Sequence, residues 1–531
     1  MTARTLTLAA VAAVALALGG WLRVAGHAHA GARAPRPTAD VAAPAAPAPQ
    51  TTATGPSQAP AASPSQATAV SEGGSQAGSL WSAPAALEAC AATGGPQVVF
   101  PSNSPSHATG AGALVWSAGS GCAGGEGARV ARIGAGGLPG RDATPRTSAG
   151  QPLAPRGALL ATGAPHGQIL IAGAAGPAAA AGAGAREAAP RRTLAVQGAA
   201  GGPFAALALG GRAQQPLALA TAYLGDVTLA TGVSTDAGEA SAGATGASAG
   251  ALDVHEERFF QHAFTRTTAT NTAGGGARAR AVTLAMDFRG EALLVWGAAG
   301  GIYARLITTR GGPPPAAQRL APAHAHLHLA AVLSDDRRGI VAWSEQIGEE
   351  TAVYVDRSAL GVRFHAPQLL ERFHDPHALA APAASPTLVR LSSESVVLAW
   401  AGADDGNWVV RVAPVDLDGV GTRTTVAAQG DDALLAALAP GPAGEAMLLW
   451  SEPLPGAASA PDQARQELLA ARGFPARPRR MLFAQPEQVA PPGPVQDAAL
   501  ALDPGSDRAI AAWQGEAGRI EYAVRAAQPG A

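Results

Sequence analysis

Histidine carries the sharpest chemical signal in this chain. Five of the twelve histidines fall in two short segments, His324-Ala-His326-Leu-His328 and Phe373-His374-Asp375-Pro376-His377. In an extended segment, alternation places His324, His326 and His328 on one side, a set of nitrogen donors suited to zinc or another transition metal. His374 and His377 add two further donors. Carboxylates fall at matching points nearby, Glu345, Glu349 and Glu350 after one tryptophan and Asp404 and Asp405 after the next. A metal held there with an open coordination position and a base beside it would activate water for hydrolysis. The blander reading makes these ordinary polar loop residues, with His-x-His capping a strand. The acidic pairs Asp335-Asp336, Asp404-Asp405 and Asp431-Asp432 offer oxygens to calcium, but they lack the spaced Asp/Asn ligands of a calcium loop and read better as solvated turns.

Other chemistry is excluded or weak. All 37 basic residues are arginine, so a P-loop lysine, a kinase lysine and a pyridoxal Schiff base are impossible. A net charge of -2 without a basic block argues against nucleic acid as a partner. Gly246-Ala-Ser248-Ala-Gly250 satisfies G-x-S-x-G, yet it sits in a Gly/Ala/Ser/Thr stretch without the strand and helix that would expose Ser248.

The elements that must position these residues are repeated short strands. Apolar residues make up 47% of the chain but aromatics only 4%, with 66 Gly and 43 Pro, so the core must come from Ala, Val and Leu in segments broken by turns. One unit recurs: an apolar strand, a turn, a second apolar strand ending in Trp, another turn and a third strand. Copies surround Trp296, Trp343, Trp400, Trp450 and Trp513, spaced 47, 57, 50 and 63 residues apart, and a sixth surrounds Trp116. Two weaker copies without Trp fit at residues 157–173 and 203–231. Each apolar run is about five residues long and lacks a 3.6-residue stripe, which disfavours helical repeats. Second strands such as Ala292 to Trp296 are apolar throughout, as a strand covered on both faces requires.

The pattern predicts an all-β fold, a β-propeller of seven or eight four-stranded blades over residues 81–531. The terminal Trp is assigned to packing between blades. The last copy ends soon after its third strand, so its outer strand is expected from near the N-terminus, around Gln97 to Phe100. Connections into each first strand and turns after each Trp open on one face, which brings the His segments and Glu345, Asp404 and Asp405 together there.

Ahead of the repeats, Met1 to Ala30 carries a short charged start, an apolar run from Thr5 to Leu22 and the small-residue motif Ala28-His29-Ala30, an export signal that is either cleaved or kept as a membrane anchor. Residues 31–80 form an Ala/Pro/Ser/Thr linker too poor in apolar bulk to fold. The protein is therefore expected outside the cytoplasm, touching membrane only through an uncleaved N-terminus. Cys90 and Cys122, the two cysteines, are expected to pair in that oxidising setting.

The copies around the six tryptophans resemble those of exported bacterial Trp-repeat β-propellers, over about residues 85 to 531. No WD dipeptide or kelch double glycine is present, and the Asp-box-like run Ser334 to Trp343 has two extra residues and lies between the first two strands. The leading functional expectation is a non-catalytic module that binds an extracellular protein or glycan. The alternative is a metal-dependent hydrolase or lyase acting on extracellular polysaccharide, with zinc or calcium as its cofactor.

The cysteine reading carries its own test. Replacing Cys90 and Cys122 by Ser should lower unfolding stability by roughly 3–4 kcal/mol in the chain-entropy model, and thiol titration of the unreduced protein should find no free thiol.

Overall fold

The computed structural model describes most of residues 80–531; residues 1–79 and several loop stretches, among them 101–111, 176–190, 233–252, 272–280, 375–384 and 455–465, lie outside the described residues. The export segment, the linker, Cys90, Ser248 and His377 all fall outside them. Among the described residues, no helix is long and apolar enough to cross a membrane.

The described chain is all-β, with strands arranged in eight antiparallel sheets. In chain order their first strands are Ala92–Val99, Pro155–Ala164, Gln215–Thr221, Ala281–Met286, Ala325–Leu333, Thr387–Arg390, Leu434–Pro440 and Gln496–Leu502. These head sheets 1 to 8. Each first strand packs beside the first strand of the next sheet, and that of sheet 8 packs beside that of sheet 1, so the order of neighbours is cyclic. The result is a β-propeller-like all-β fold.

Sheet 5 shows how sequence becomes register. Its strands are Ala325–Leu333, Gly339–Ile347, Glu350–Arg357 and Gln368–His374. The second strand pairs Trp343 with Leu329 on one side and Tyr354 on the other. Because side chains alternate, Val341 and Trp343 pack toward sheet 4, against Leu293 and Val295. Ile340 and Ala342 pack toward sheet 6, against Leu398 and Trp400. A strand with neighbours on both faces has no solvated side, which is why it is apolar at successive positions.

The same rule runs round the cycle. Trp400 packs on sheet 5, Trp450 on sheet 6 and Trp513 on sheet 7. Trp116 meets Ala512 and Ile520 of sheet 8, and Trp296 meets Ala218 of sheet 3. Each tryptophan thus fills the gap toward the preceding sheet. Trp296 and Trp343 also stack on Tyr303 and Tyr354 of their own third strands, at 5.6 and 5.3 Å.

Of the two weaker copies, residues 157–173 fall on the first two strands of sheet 2, Pro155–Ala164 and Gln168–Ala175. The other, residues 203–231, straddles two sheets. Its start is the outer strand of sheet 2, Ala205–Leu209, and only Gln215–Thr221 and Asp226–Gly232 begin sheet 3. No Trp marks the second strand there, so nothing local sets the register.

Sheet 8 takes its outer strand from the N-terminal side, though not from the expected residues. Ala85–Ala86 pairs with Tyr522 and Glu521, and Trp81 bridges to Arg525. Gln97 to Val99 instead belong to the first strand of sheet 1, pairing with the second strand. The Gln97 side chain there reaches the backbone of Leu159 and Ala161 in sheet 2. The true closing segment has little apolar length; what anchors it is Trp81, 4% exposed among Met447, Leu500 and Trp513.

On the face where first strands turn into second strands, charges link neighbouring sheets. Arg337 of sheet 5 pairs with Glu291 of sheet 4, Arg390 of sheet 6 with Asp335 of sheet 5, and Arg472 of sheet 7 with Asp507 of sheet 8.

If Trp81 holds the ends together, Trp81→Ala should lower stability by about 3–5 kcal/mol, measured by urea unfolding. An unchanged midpoint would show that the N-terminal strand contributes little.

Candidate functional site

The face opposite those turns, at the tryptophan ends of the second strands, is the one the histidines were expected to occupy. A buried indole N–H needs an acceptor. Here the acceptor is repeatedly a carboxylate. Trp343 Nε1 donates to Glu345 at 3.4 Å, Trp400 to Glu371 at 2.8 Å, Trp450 to Glu452 at 2.7 Å and Trp513 to Glu521 at 3.1 Å. Glu345 and Glu452 stand two residues beyond their tryptophans, Glu521 lies across the third strand of its own sheet, and Glu371 reaches over from the outer strand of sheet 5 to sheet 6.

Glu345 is the most enclosed of these acids, 3% exposed. Its Oε2 accepts the backbone N–H of His324 at 3.0 Å. The His324 Nδ1 lies 3.0 Å from the same oxygen, off the hydrogen-bond line, with the side chain 41% exposed. Catalytic hydrogen bonds are often poorly aligned before substrate binds. Glu350 belongs to the same sheet surface. Glu345 pairs with Ala352, and Glu350 lies two residues before Ala352 on that strand, so the two glutamates are diagonal neighbours on one surface of the sheet. Glu350 lies 3.6 Å from Arg372 and 3.7 Å from His374, whose side chain is 73% exposed.

The expected row of three histidines is broken. The register shifts between Ala325 and His328, and His326 takes a left-handed conformation at φ 49°. This is a bulge, and a bulge re-aims the side chains that follow it. His324 contacts Glu345 on the surface toward sheet 4, whereas His328 stands opposite Ser344, in the row toward sheet 6. His326 is exposed. Among the described residues, no three His, Cys, Asp or Glu side chains group as a metal-holding set.

Asp404 and Asp405 occupy the hairpin between the second and third strands of sheet 6. Asp404 pairs with Asn407, leaving Asp405-Gly406 as a two-residue loop with φ 48° and 82°, the geometry Asp-Gly favours. Asp404 is 61% exposed and 4.0 Å from Arg411. Glu371, 9% exposed, lies 3.2 Å from Arg411. A β-carbon at Gly402 would come within 2.7 Å of Glu371, so the glycine makes room for a carboxylate crossing between sheets. Cys122 is disulfide-bonded and buried, its Sγ 3.5 Å from the carbonyl of Ala91.

Sequence reasoning missed Glu371, Glu452 and Glu521. One signal was available: Trp343-Ser344-Glu345 recurs as Trp450-Ser451-Glu452. Glu371 and Glu521 come from other strands and leave no local mark.

No family model matches the chain, and no curated protein matches it. Among solved structures, it is similar to a Trypanosoma rangeli sialidase bound to sialic acid (TM-score 0.31, 11% identity, 62% of this chain and 56% of that one). It is also similar to a Penicillium chrysogenum α-L-arabinanase bound to arabinobiose (0.36, 13%, 64% and 99%) and to a Fusarium graminearum GH93 α-L-arabinofuranosidase (0.36, 14%, 64% and 99%). The chain spans little more than half the length of the sialidase. The expectation of a non-catalytic binding module is corrected: these structures are named for enzymes, not for binding proteins.

Two acids away from this face stand out. Asp287 is 1% exposed, and burial, with Glu291 close by, raises its pKa. Asp356, also 1% exposed, is pushed up to about 6 by burial, against the opposing pull of a hydrogen bond from the Arg357 N–H. An acid whose folded pKa exceeds its unfolded value binds more protons when folded, so stability falls as pH rises from about 4 to 6. The loss is about 3 kcal/mol by neutral pH. Asp356→Asn should flatten that part of the stability profile and raise stability at pH 7; an unchanged profile by urea unfolding across this range would refute the assignment.

Proposed function

We propose that the chain is an extracytoplasmic, eight-bladed propeller hydrolase that cleaves glycosidic bonds of extracellular polysaccharide at the mouth of the gap between sheets 4 and 5. The single observation behind this reading is the buried Glu345 carboxylate that holds His324 at a half-exposed surface. A carboxylate seated behind an imidazole orients the ring and supports its charged form, the arrangement general acid–base catalysis requires.

Glu350 supplies the second carboxylate. In the proposed step, the water oxygen bonds to the anomeric carbon and gives its proton to Glu350. The glycosidic oxygen leaves with the proton of the His324 imidazolium, whose charge Glu345 balances. The eight sheets serve as blades, with residues 81–531 as the working body, residues 31–80 as its linker, an exported N-terminus, and Cys90 as the partner of Cys122.

Purified protein should release reducing ends from a polysaccharide panel, with His324→Ala, Glu345→Gln and Glu350→Gln each lowering kcat by about 10²–10⁴-fold and chelators leaving the rate unchanged. Unsaturated, ultraviolet-absorbing products in place of reducing ends would reassign the site to a lyase. Full activity in all three variants, or no turnover of any glycan, would refute the proposal.

A further inference from the structure

The other surface of sheet 4 presents donors without acceptors, and the inference drawn from them rests on the glycan-hydrolase reading and deepens it. Trp296 ends the second strand of sheet 4 much as Trp343, Trp400, Trp450 and Trp513 end theirs. Those four indoles are capped from three places: the residue two beyond the tryptophan, its partner on the third strand, or the outer strand of the preceding sheet. In sheet 4 these places hold Ala298, Tyr303 and the strand Ala263–Asn271, whose sequence contains no acid. Trp296 is 5% exposed, and among the described residues no group accepts its N–H.

Two more donors share that surface. Tyr303 stacks on Trp296 at 5.6 Å and pairs across strands with Arg319 of the outer strand, so the three side chains lie on one side of sheet 4. Leu320 packs the other way, toward sheet 5, as alternation requires. A β-carbon at Gly300 would lie 2.7 Å from the Tyr303 hydroxyl oxygen and one at Gly301 2.6 Å from Arg319 Nε, so phenol and guanidinium rest against adjacent glycines of the hairpin. Arg319 is exposed and has no ion-pair partner among the described residues. Arg372, Arg411 and Arg423 differ, because each faces Glu350 or Glu371. An indole N–H, a phenol and an uncommitted guanidinium, with no acid among them, suit an anion.

The hairpin between second and third strands links this group to the catalytic residues. Residues 297–301 read Gly-Ala-Ala-Gly-Gly, with no side chain larger than a methyl, whereas sheets 5 and 6 carry Glu349 and Asp405 in theirs. The chain leaving Arg319 reaches His324 five residues later. A sugar chain lying over this low edge has Arg319 on one side and His324 with Glu350 on the other. We propose that the substrate is an acidic glycan: a ring carboxylate or sulfate ester is held by Arg319, Tyr303 and Trp296 while the bond to be cleaved lies over His324 and Glu350.

The test uses three probes of equal length: a galacturonate oligosaccharide, its fully methyl-esterified counterpart and a sulfated galactose oligosaccharide. Affinity is measured by calorimetry and cleavage by reducing ends. At least one acidic probe should bind on the order of tenfold tighter than the ester, the scale of a charge-assisted hydrogen bond, and the tighter of the two tells carboxylate from sulfate. That advantage should shrink between about 20 and 300 mM salt. Arg319→Gln should abolish the preference while the melting temperature holds, Arg319→Lys should keep part of it, and Tyr303→Phe should lower it about threefold. Equal or weaker binding of both acidic probes, or a preference that survives Arg319→Gln, would overturn the inference, and cleavage of the ester would then leave the hydrolase reading intact. Acid-selective binding that is lost in Arg319→Gln, without cleavage of any glycan, would sustain the subsite and sink the hydrolase.

Discussion

The structure depends on one recurring contact: a tryptophan at the end of a second strand, packed toward the preceding sheet, with its indole N–H capped by a carboxylate. Radially arranged sheets diverge, and a large aromatic fills the widening space at low conformational cost. Its single donor must then be satisfied in a buried place, where an unmade hydrogen bond costs about 1–3 kcal/mol. Trp343, Trp400, Trp450 and Trp513 meet this need with four glutamates. The acids come from three structural sources, which shows that the requirement is chemical and not a fixed motif.

That solution has a by-product. Capping four of the gaps with a carboxylate distributes acids around one face, each partly shielded from water and held in place. Glu371 has an ordinary companion in Arg411. At sheet 5 a histidine and a second glutamate fall on the same surface as the cap. In the proposed hydrolase, a packing device thereby supplies the parts of a proton-transfer unit without any change in the fold, and the bulge at His326 sets which histidine meets Glu345.

The architecture was legible in the sequence because its signals are local. Trp-terminated apolar runs fixed the second strands, and the turns beside them fixed the first and third. Where the Trp is missing, the copy at residues 157–173 still fell on two strands of one sheet, but residues 203–231 were divided between two sheets. The site was half legible. Glu345 and His324 were named and do meet, but the reading of three aligned histidines assumed uninterrupted alternation. A bulge is set by the pairing of two strands, and neither sequence segment announces it alone. Glu371 is hidden for a similar reason, since its partner Trp400 belongs to the next sheet. The closing strand was sought among β-branched residues near Gln97, whereas two alanines suffice because Trp81 anchors them.

The place of that closing strand also sets a timetable. The Ser82 backbone N–H donates to the Val524 carbonyl and the Ser82 hydroxyl accepts from the Val524 N–H, a pairing that spans 442 residues. The pairing strand must therefore wait for a partner made more than four hundred residues later. Such a long-range pairing is slow to form.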